Sequence, residues 1–267
     1  MSNITDESED GADGLSPDIM YDQTGTDTVA EPVAEAPPPK DKLNIVLRWV
    51  LYGIVGFFLF SVFSVAIHRF VPVPVTILML ERLPAGDGLH HRWVSAAKIS
   101  DNLKAAVIAA EDAKFCTHSG FDMDAIHKAQ VYNEHHKKKR GASTISQQTA
   151  KNVFLWPSRS WLRKGFEVYY TFLIEHMWPK DRIMEVYLNS VEWAPGVYGA
   201  EAASQYWFGH GAATLSKPEA AKLAAILPNP RKWKAAKSGR YVQSRSGHIQ
   251  AAARLVRNAG FDVCAVE

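Results

Sequence analysis

Cysteine is nearly absent from this 267-residue chain, with only Cys116 and Cys264 present. Two thiols make neither a disulfide framework nor a metal-binding pattern; they are either free or form one bridge in a domain outside the cytosol. No run alternates well enough for a sizeable sheet and no segment repeats, which leaves a mostly α body. Charge of one sign is missing in two places. Residues 1–39 hold ten acids and no Lys or Arg. Between His135 and Phe166 there are eight Lys or Arg (Lys137, Lys138, Lys139, Arg140, Lys151, Arg159, Arg163, Lys164) and no acid. A solvated face mixes signs, so this stretch reads as a cationic surface aimed at phosphate. The net charge of +2 hides the asymmetry, because residues after 39 carry 30 bases against 18 acids.

The 19 residues Trp49 to Ile67 lack any charge. As a helix at about 1.5 Å per residue they span roughly 28 Å, close to the ~30 Å hydrocarbon core of a bilayer. Lys40, Lys42 and Arg48 precede the run and only Arg69 follows closely, which puts the N-terminus in the cytoplasm. A cleaved signal peptide is the nearest rival, but the long leader favours an uncleaved anchor. The organisation expected is a disordered acidic cytoplasmic tail over 1–44, a transmembrane anchor over 45–67, a membrane-proximal connector over 68–98, and a helical domain over 99–267. Pro72 and Pro74 should hold the connector extended before a short strand or helix. Helices are expected over 100–113, 122–135, 144–153, 160–178, 180–191, 197–208, 217–226 and 241–258. In the fourth of these, Leu162, Phe166, Tyr169, Leu173 and Met177 form an apolar stripe.

Glu111 and Asp112 sit at the end of the first of these helices, where the helix dipole disfavours carboxylates and raises their pKa. Such a group suits proton acceptance. His118 and Asp122, beyond a turn at Gly120, are placed to fold back on the acids. A second block, Gly141 to Asn152, carries Thr144 and Gln147 as a capping box. The box leaves Gln148 and Lys151 unexplained; on a helix they share a face suited to a sugar beside a cation. In the third block, Arg163 and Glu167 form an i,i+4 pair worth only ~0.3 kcal/mol if exposed.

Four blocks in this order resemble the peptidoglycan glycosyltransferases of the monofunctional biosynthetic type. They are E-D-x-x-F-x-x-H-x-G-x-D from Glu111, G-x-S-T-I-x-Q-Q-x-x-K-N from Gly141, R-K-x-x-E from Arg163, and Tyr187-Leu188-Asn189 with the glycine turn that follows. Leu223 to Pro230 is a fifth, and Ala194 departs from the glycine often found there. The resemblance implies a lysozyme-like two-lobed α domain behind a single transmembrane helix, with a cleft opening toward the membrane. It implies polymerisation of lipid II, a disaccharide-peptide on undecaprenyl pyrophosphate, at a bacterial cytoplasmic (inner) membrane with the catalytic domain periplasmic. Transfer joins the growing strand to the 4-hydroxyl of the acceptor with inversion. A glycosidase must protonate a poor leaving group, whereas a pyrophosphate departs without a proton if cations meet its charge. The roles that follow are Glu111 as base with Asp112 and His118 as supports, and Lys151, Arg159 and Arg163 as clamp. Ser143, Thr144, Gln147 and Gln148 position the donor, and Phe115 and Lys164 also meet substrate. Glu167 is the second important carboxylate, acting directly or through Mg²⁺ or Mn²⁺, with no dedicated metal cage and no organic cofactor. Other partners expected are membrane lipids and proteins of cell division or wall synthesis, and no nucleic acid.

The main rival is a lysozyme-like wall-cleaving hydrolase or lytic transglycosylase, which needs neither eight cations nor an anchor. A penicillin-binding trio is formally present at Ser95 to Lys98, Ser100 to Asn102 and Lys237 to Gly239, but its first two parts are too close in sequence to come from separate elements. A scaffold with a decayed site would show broken motifs, and none is broken.

Overall fold

The computed structural model describes residues 40–158, 160–260 and 264. Residues 1–39, read from sequence as disordered, lie outside this range, as does Arg159. Two compact units divide the chain, residues 1–50 and 51–267. Helix α1 (Lys40–His68) is the one described helix long and apolar enough to cross a membrane. It begins earlier than the anchor expected from 45, because nothing in Lys40–Asn44 interrupts a helix. Its side chains stay largely exposed, Leu59 and Phe60 at 67% each, as suits a helix surrounded by lipid.

Within the larger unit, α1 from Leu51 onward packs on α6 (Trp161–Met177). Phe57 meets Phe166 with ring centroids 5.5 Å apart, Phe58 meets Tyr169 at 5.4 Å, and Ser61 Oγ lies 2.6 Å from Tyr169 OH. Trp178 donates its indole N–H to the Val65 carbonyl at 2.7 Å. The stripe Leu162, Phe166, Tyr169, Leu173, Met177 therefore lies at the margin of the core, against α1, rather than within it. Leu162 is exposed and the other four are half-buried, while the buried face of α6 is Glu167, Tyr170, Thr171 and Ile174.

Pro72 and Pro74 keep the connector extended as expected, and Thr76 then caps α2 (Ile77–Arg82) by accepting from Met79 N. Helices α3 (Asp101–Glu111), α9 (Lys217–Ile226) and α10 (Arg240–Asn258) pack together as one group. Helix α5 (Ile145–Phe154) packs on α6 and α7 (Lys180–Ser190) as the other. Helix α4 (Met123–His135) lies between α3 and α5 in the chain and buries no residue fully. Side-chain caps at Ser100, Asp122, Thr144, Ser160 and Ser216 explain where five of these helices start.

A small sheet in the order β1-β3-β2 lies beside them: β1 (His90–His91), β2 (Glu192–Ala194) and β3 (Val197–Tyr198). Because β3 takes residues 197–198, α8 (Ala200–Phe208) starts later than the sequence pattern places it. The turn between β2 and β3 demands glycine at 196. There φ is +71°, and a Cβ would sit 2.3 Å from the Asp87 carbonyl oxygen. Asn189 ties α7 to the preceding loop, accepting from Val94 N and donating to Val94 O, which accounts for the Tyr-Leu-Asn block structurally. Cys116 and Cys264 form a disulfide across 148 positions, which settles the open question about the two thiols. The trio at Ser95 to Gly239 dissolves, since Ser100 and Asn102 both donate to the Leu215 carbonyl.

Candidate active site

The end of α3 delivers Glu111 to the junction of the two helix groups. Gln148, on the first turns of α5, donates to Glu111 Oε2 at 3.1 Å. Gln148 is itself oriented by the fully buried Tyr187, whose hydroxyl donates to its carbonyl oxygen at 3.3 Å. Burial holds the Tyr187 phenol well above its ordinary pKa, so it stays a donor. Glu111 has its pKa raised, first by burial and to a lesser degree by Asp112, against the lowering pull of Gln148, Arg245 and Lys151. Burial, rather than the helix dipole the sequence pointed to, is the main cause.

Asp112 is buried and ties three segments together. One oxygen accepts from Ile145 N at the start of α5 at 2.9 Å, and His118 Nε2 lies 2.9 and 3.1 Å from its two oxygens. Gly120 N donates to His118 Nδ1, so the ring proton sits on Nε2 and points at Asp112. His118 thus folds back as expected, while Asp122 instead caps α4 through Ala125 N. Gly120 has φ +89° and room for no Cβ, which would lie 2.9 Å from Thr171 and Glu175. Its carbonyl accepts from Thr144 Oγ1 at 2.7 Å.

Two cavities meet at α5. The first, about 740 Å³, is lined by Glu111, Asp112, Ser143, Thr144 and Gln148 together with Arg140 and Arg245. The second, about 430 Å³, is lined by Lys151, Arg163 and Arg82 with the apolar Leu78, Leu155 and Trp156. Gln148 in the first and Lys151 in the second are neighbours on one helix face. Burial lowers the Lys151 pKa; Glu167 is the strongest influence holding it up, with Glu111 a weaker one. Lys151 therefore lies in the field of both carboxylates.

Glu167 is 3% exposed, so its pair with Arg163 is no surface i,i+4 contact. Arg163 Nη1 meets Oε2 at 2.6 Å and Lys164 Nζ meets Oε1. Arg163 Nε also donates to the Ser158 carbonyl.

Two expected substrate residues point elsewhere. Phe115 is wholly buried under the Lys180 ammonium, 4.7 Å from the ring centroid, and takes no part in the Glu111 cavity. Gln147 is buried too, its carbonyl oxygen accepting from Thr144 N in the capping box. Conversely, Arg245, Trp233 and Tyr241 line the Glu111 cavity although no motif named them. Arg245 Nη2 comes within 3.9 Å of Glu111 Oε1, and its buried Nε has no hydrogen-bond partner among the described residues. The signal available was the absence of any acid from residue 220 to 261, a stretch with nine Lys or Arg.

The profile of the family described as Transglycosylase matches residues 79–254. The chain belongs to the transglycosylase family. This transglycosylase is a glycosyl-transferring enzyme, and its fold is the mostly α, lysozyme-like one. It is 53% identical over 221 residues to a biosynthetic peptidoglycan transglycosylase of Caulobacter vibrioides, covering 83% of this chain and 95% of the relative. Proteins of the same description from Bdellovibrio bacteriovorus and Pseudomonas aeruginosa are each 50% identical, over 216 and 214 residues. Those matches cover 79% and 78% of this chain, and 86% and 92% of the relatives. The family match runs from α2 into α10, and so takes in both cavities of the transglycosylase except Leu78, with Arg245 included.

Proposed function

We propose that this transglycosylase polymerises lipid II into linear peptidoglycan strands. The observation that carries the reading is a half-buried carboxylate with raised pKa, Glu111, bonded to Gln148, which lies one helical turn along α5 from the Lys151 of a cationic, partly apolar cavity that also holds Arg163. In the reaction Glu111 takes the proton of the acceptor 4-hydroxyl as its oxygen forms a bond to the anomeric carbon of the growing strand. The bond from that carbon to the pyrophosphate breaks on the opposite face, inverting the centre. The electron pair leaves with the diphosphate onto Lys151 and Arg163, and no proton is needed there. Arg159 joins the clamp by sequence alone. Asp112 and His118 hold the loop beside Glu111, Thr144 and Gln147 fix the start of α5, and Ser143 and Gln148 face the sugars.

A divalent ion fits poorly at Glu167, because Arg163 and Lys164 already take both of its oxygens. No group of three or more His, Cys, Asp or Glu arranged for a metal occurs among the described residues. No step here is routed through Mg²⁺ or Mn²⁺.

Helix α1 anchors the protein in the cytoplasmic membrane with its N-terminus inside, by the distribution of Lys and Arg around it. The disulfide supports an extracytoplasmic catalytic domain. Purified protein is to be incubated with fluorescent lipid II and the products resolved on a gel. A ladder of strands is expected, and none from Glu111→Gln, with a loss of about 10²- to 10⁴-fold. Near-normal ladders from that variant refute the assignment. Soluble fragments released from isolated wall would favour the hydrolase reading instead.

A further inference from the structure

We propose that a third cavity, reached from Glu111 across Trp233 and Tyr241, binds the acidic peptide side chains of the glycan strand. This rests on the reading of lipid II as substrate and extends it to a subsite. The cavity, about 310 Å³, is lined by Lys232, Trp233, Lys234, Lys237, Arg240 and Tyr241. Its two aromatic residues also line the Glu111 cavity, with ring centroids 4.8 Å apart, so the two spaces share a wall. None of the four cations pairs with a carboxylate among the described residues. A solvated basic loop normally finds acids nearby; here the sequence supplies none from 220 to 261.

The loop that carries these groups is built. Lys232 N and Trp233 N both donate to the Asn229 carbonyl, at 3.1 and 3.0 Å. Arg231 is held by Asp87 at 2.6 Å and Glu192 at 2.8 Å, Ala235 is fully buried, and Gln243 donates to the Ser238 carbonyl at 2.8 Å. The platform therefore keeps its place without ligand.

Its chemistry suits one kind of polymer. Aromatic faces accept the apolar faces of sugar rings, and ammonium and guanidinium groups bind carboxylates. The three cavities follow one another, from the Lys151 clamp, past Gln148 and Glu111, to Trp233 and Tyr241. A strand whose diphosphate end lies in the clamp has its first sugar at Glu111, and its next sugars, with their peptides, continue toward the lysines. Diphosphate is the competing anion, but the clamp at Lys151 and Arg163 already serves it.

The test uses the full chain in detergent and soluble strand fragments with an end-placed fluorophore, read by anisotropy. One preparation keeps its peptides and a matched one has had them removed by an amidase. The intact fragment is expected to bind roughly tenfold more tightly than the stripped one, and to lose that advantage in high salt. The double charge reversal Lys232→Glu with Lys234→Glu is expected to weaken the intact fragment roughly tenfold and leave the stripped one unchanged. Trp233→Ala should weaken both. Equal binding of the two fragments by the unaltered protein overturns the proposal, as does full affinity in the charge-reversed protein. Displacement of the intact fragment by inorganic diphosphate, lost in the charge-reversed protein, also overturns it. Polymerisation of lipid II without peptide-dependent binding removes the subsite alone. Absence of polymerisation by the unaltered protein removes the reading beneath it.

Discussion

Replacing Glu167 by Gln isolates the charge at the centre of the clamp. The side chain is 4% exposed and holds Arg163, itself 12% exposed, at 2.6 Å, with Lys164 on the other oxygen. The amide keeps the shape but removes the carboxylate these two cations share. Breaking a buried pair by removing one partner costs roughly 3–5 kcal/mol. The remaining amide oxygen and the Ser158 carbonyl still accept from Arg163, so the lower end, about 3 kcal/mol, is the expected loss. At about 2–4 °C per kcal/mol for a domain of this size, the melting temperature should fall by roughly 6–12 °C. The same charge is the strongest influence keeping the pKa of Lys151 up. Its removal should drop that pKa further, so the alkaline limb of the rate profile moves to lower pH. Both effects are measurable, the first by melting in detergent and the second by initial rates on lipid II across pH. Added inorganic diphosphate should restore more stability to Glu167→Gln than to the unaltered protein, because it replaces the missing negative charge. A melting temperature within about 2 °C of the parent, with an unmoved alkaline limb, would refute the reasoning.

Two further outcomes follow from single residues. Because the folded-state pKa of Glu111 is raised above the ordinary 4.5, its stability contribution is full below 4.5 and is lost as pH rises through the raised value. Glu111→Gln should therefore melt higher than the parent near neutral pH, with the difference vanishing in acid; a lower melting temperature at neutral pH would contradict this. Gly196→Ala puts a Cβ 2.3 Å from the Asp87 oxygen at φ +71° and should cost roughly 2 kcal/mol or more, whereas Gly239→Ala, with nothing within 4 Å, should be near neutral by the same melt.

Local chemistry made much of this molecule readable in advance. The capping box at Thr144 and the helical spacing after Ile99 placed the helices to within a few residues, because those signals act within one turn. The blocks around Glu111, Lys151 and Glu167 were visible for the same reason, each being a short run on one element. What the chain hid was partnership across long separations. Arg245 reaches Glu111 only because α10 folds back on α3, and the stripe on α6 does not say in sequence that its neighbour is α1. The Arg163–Glu167 pair was underrated because its value depends on burial, which spacing does not reveal. Phe115 and Gln147 sit inside recognisable motifs yet serve packing and capping, so membership of a motif did not distinguish scaffold from surface.

Helix α6 carries Phe166 and Tyr169 against α1 on one side and Arg163 and Glu167 on the other. The apolar helix thus backs the element that carries the clamp, as well as serving as a tether. A generic apolar span grafted in its place would still enter a bilayer, but it would present no hydroxyl to Tyr169 and no ring to Phe166. Tilt imposed by lipid thickness would be felt one or two residues from the buried carboxylate, with no hinge between to absorb it.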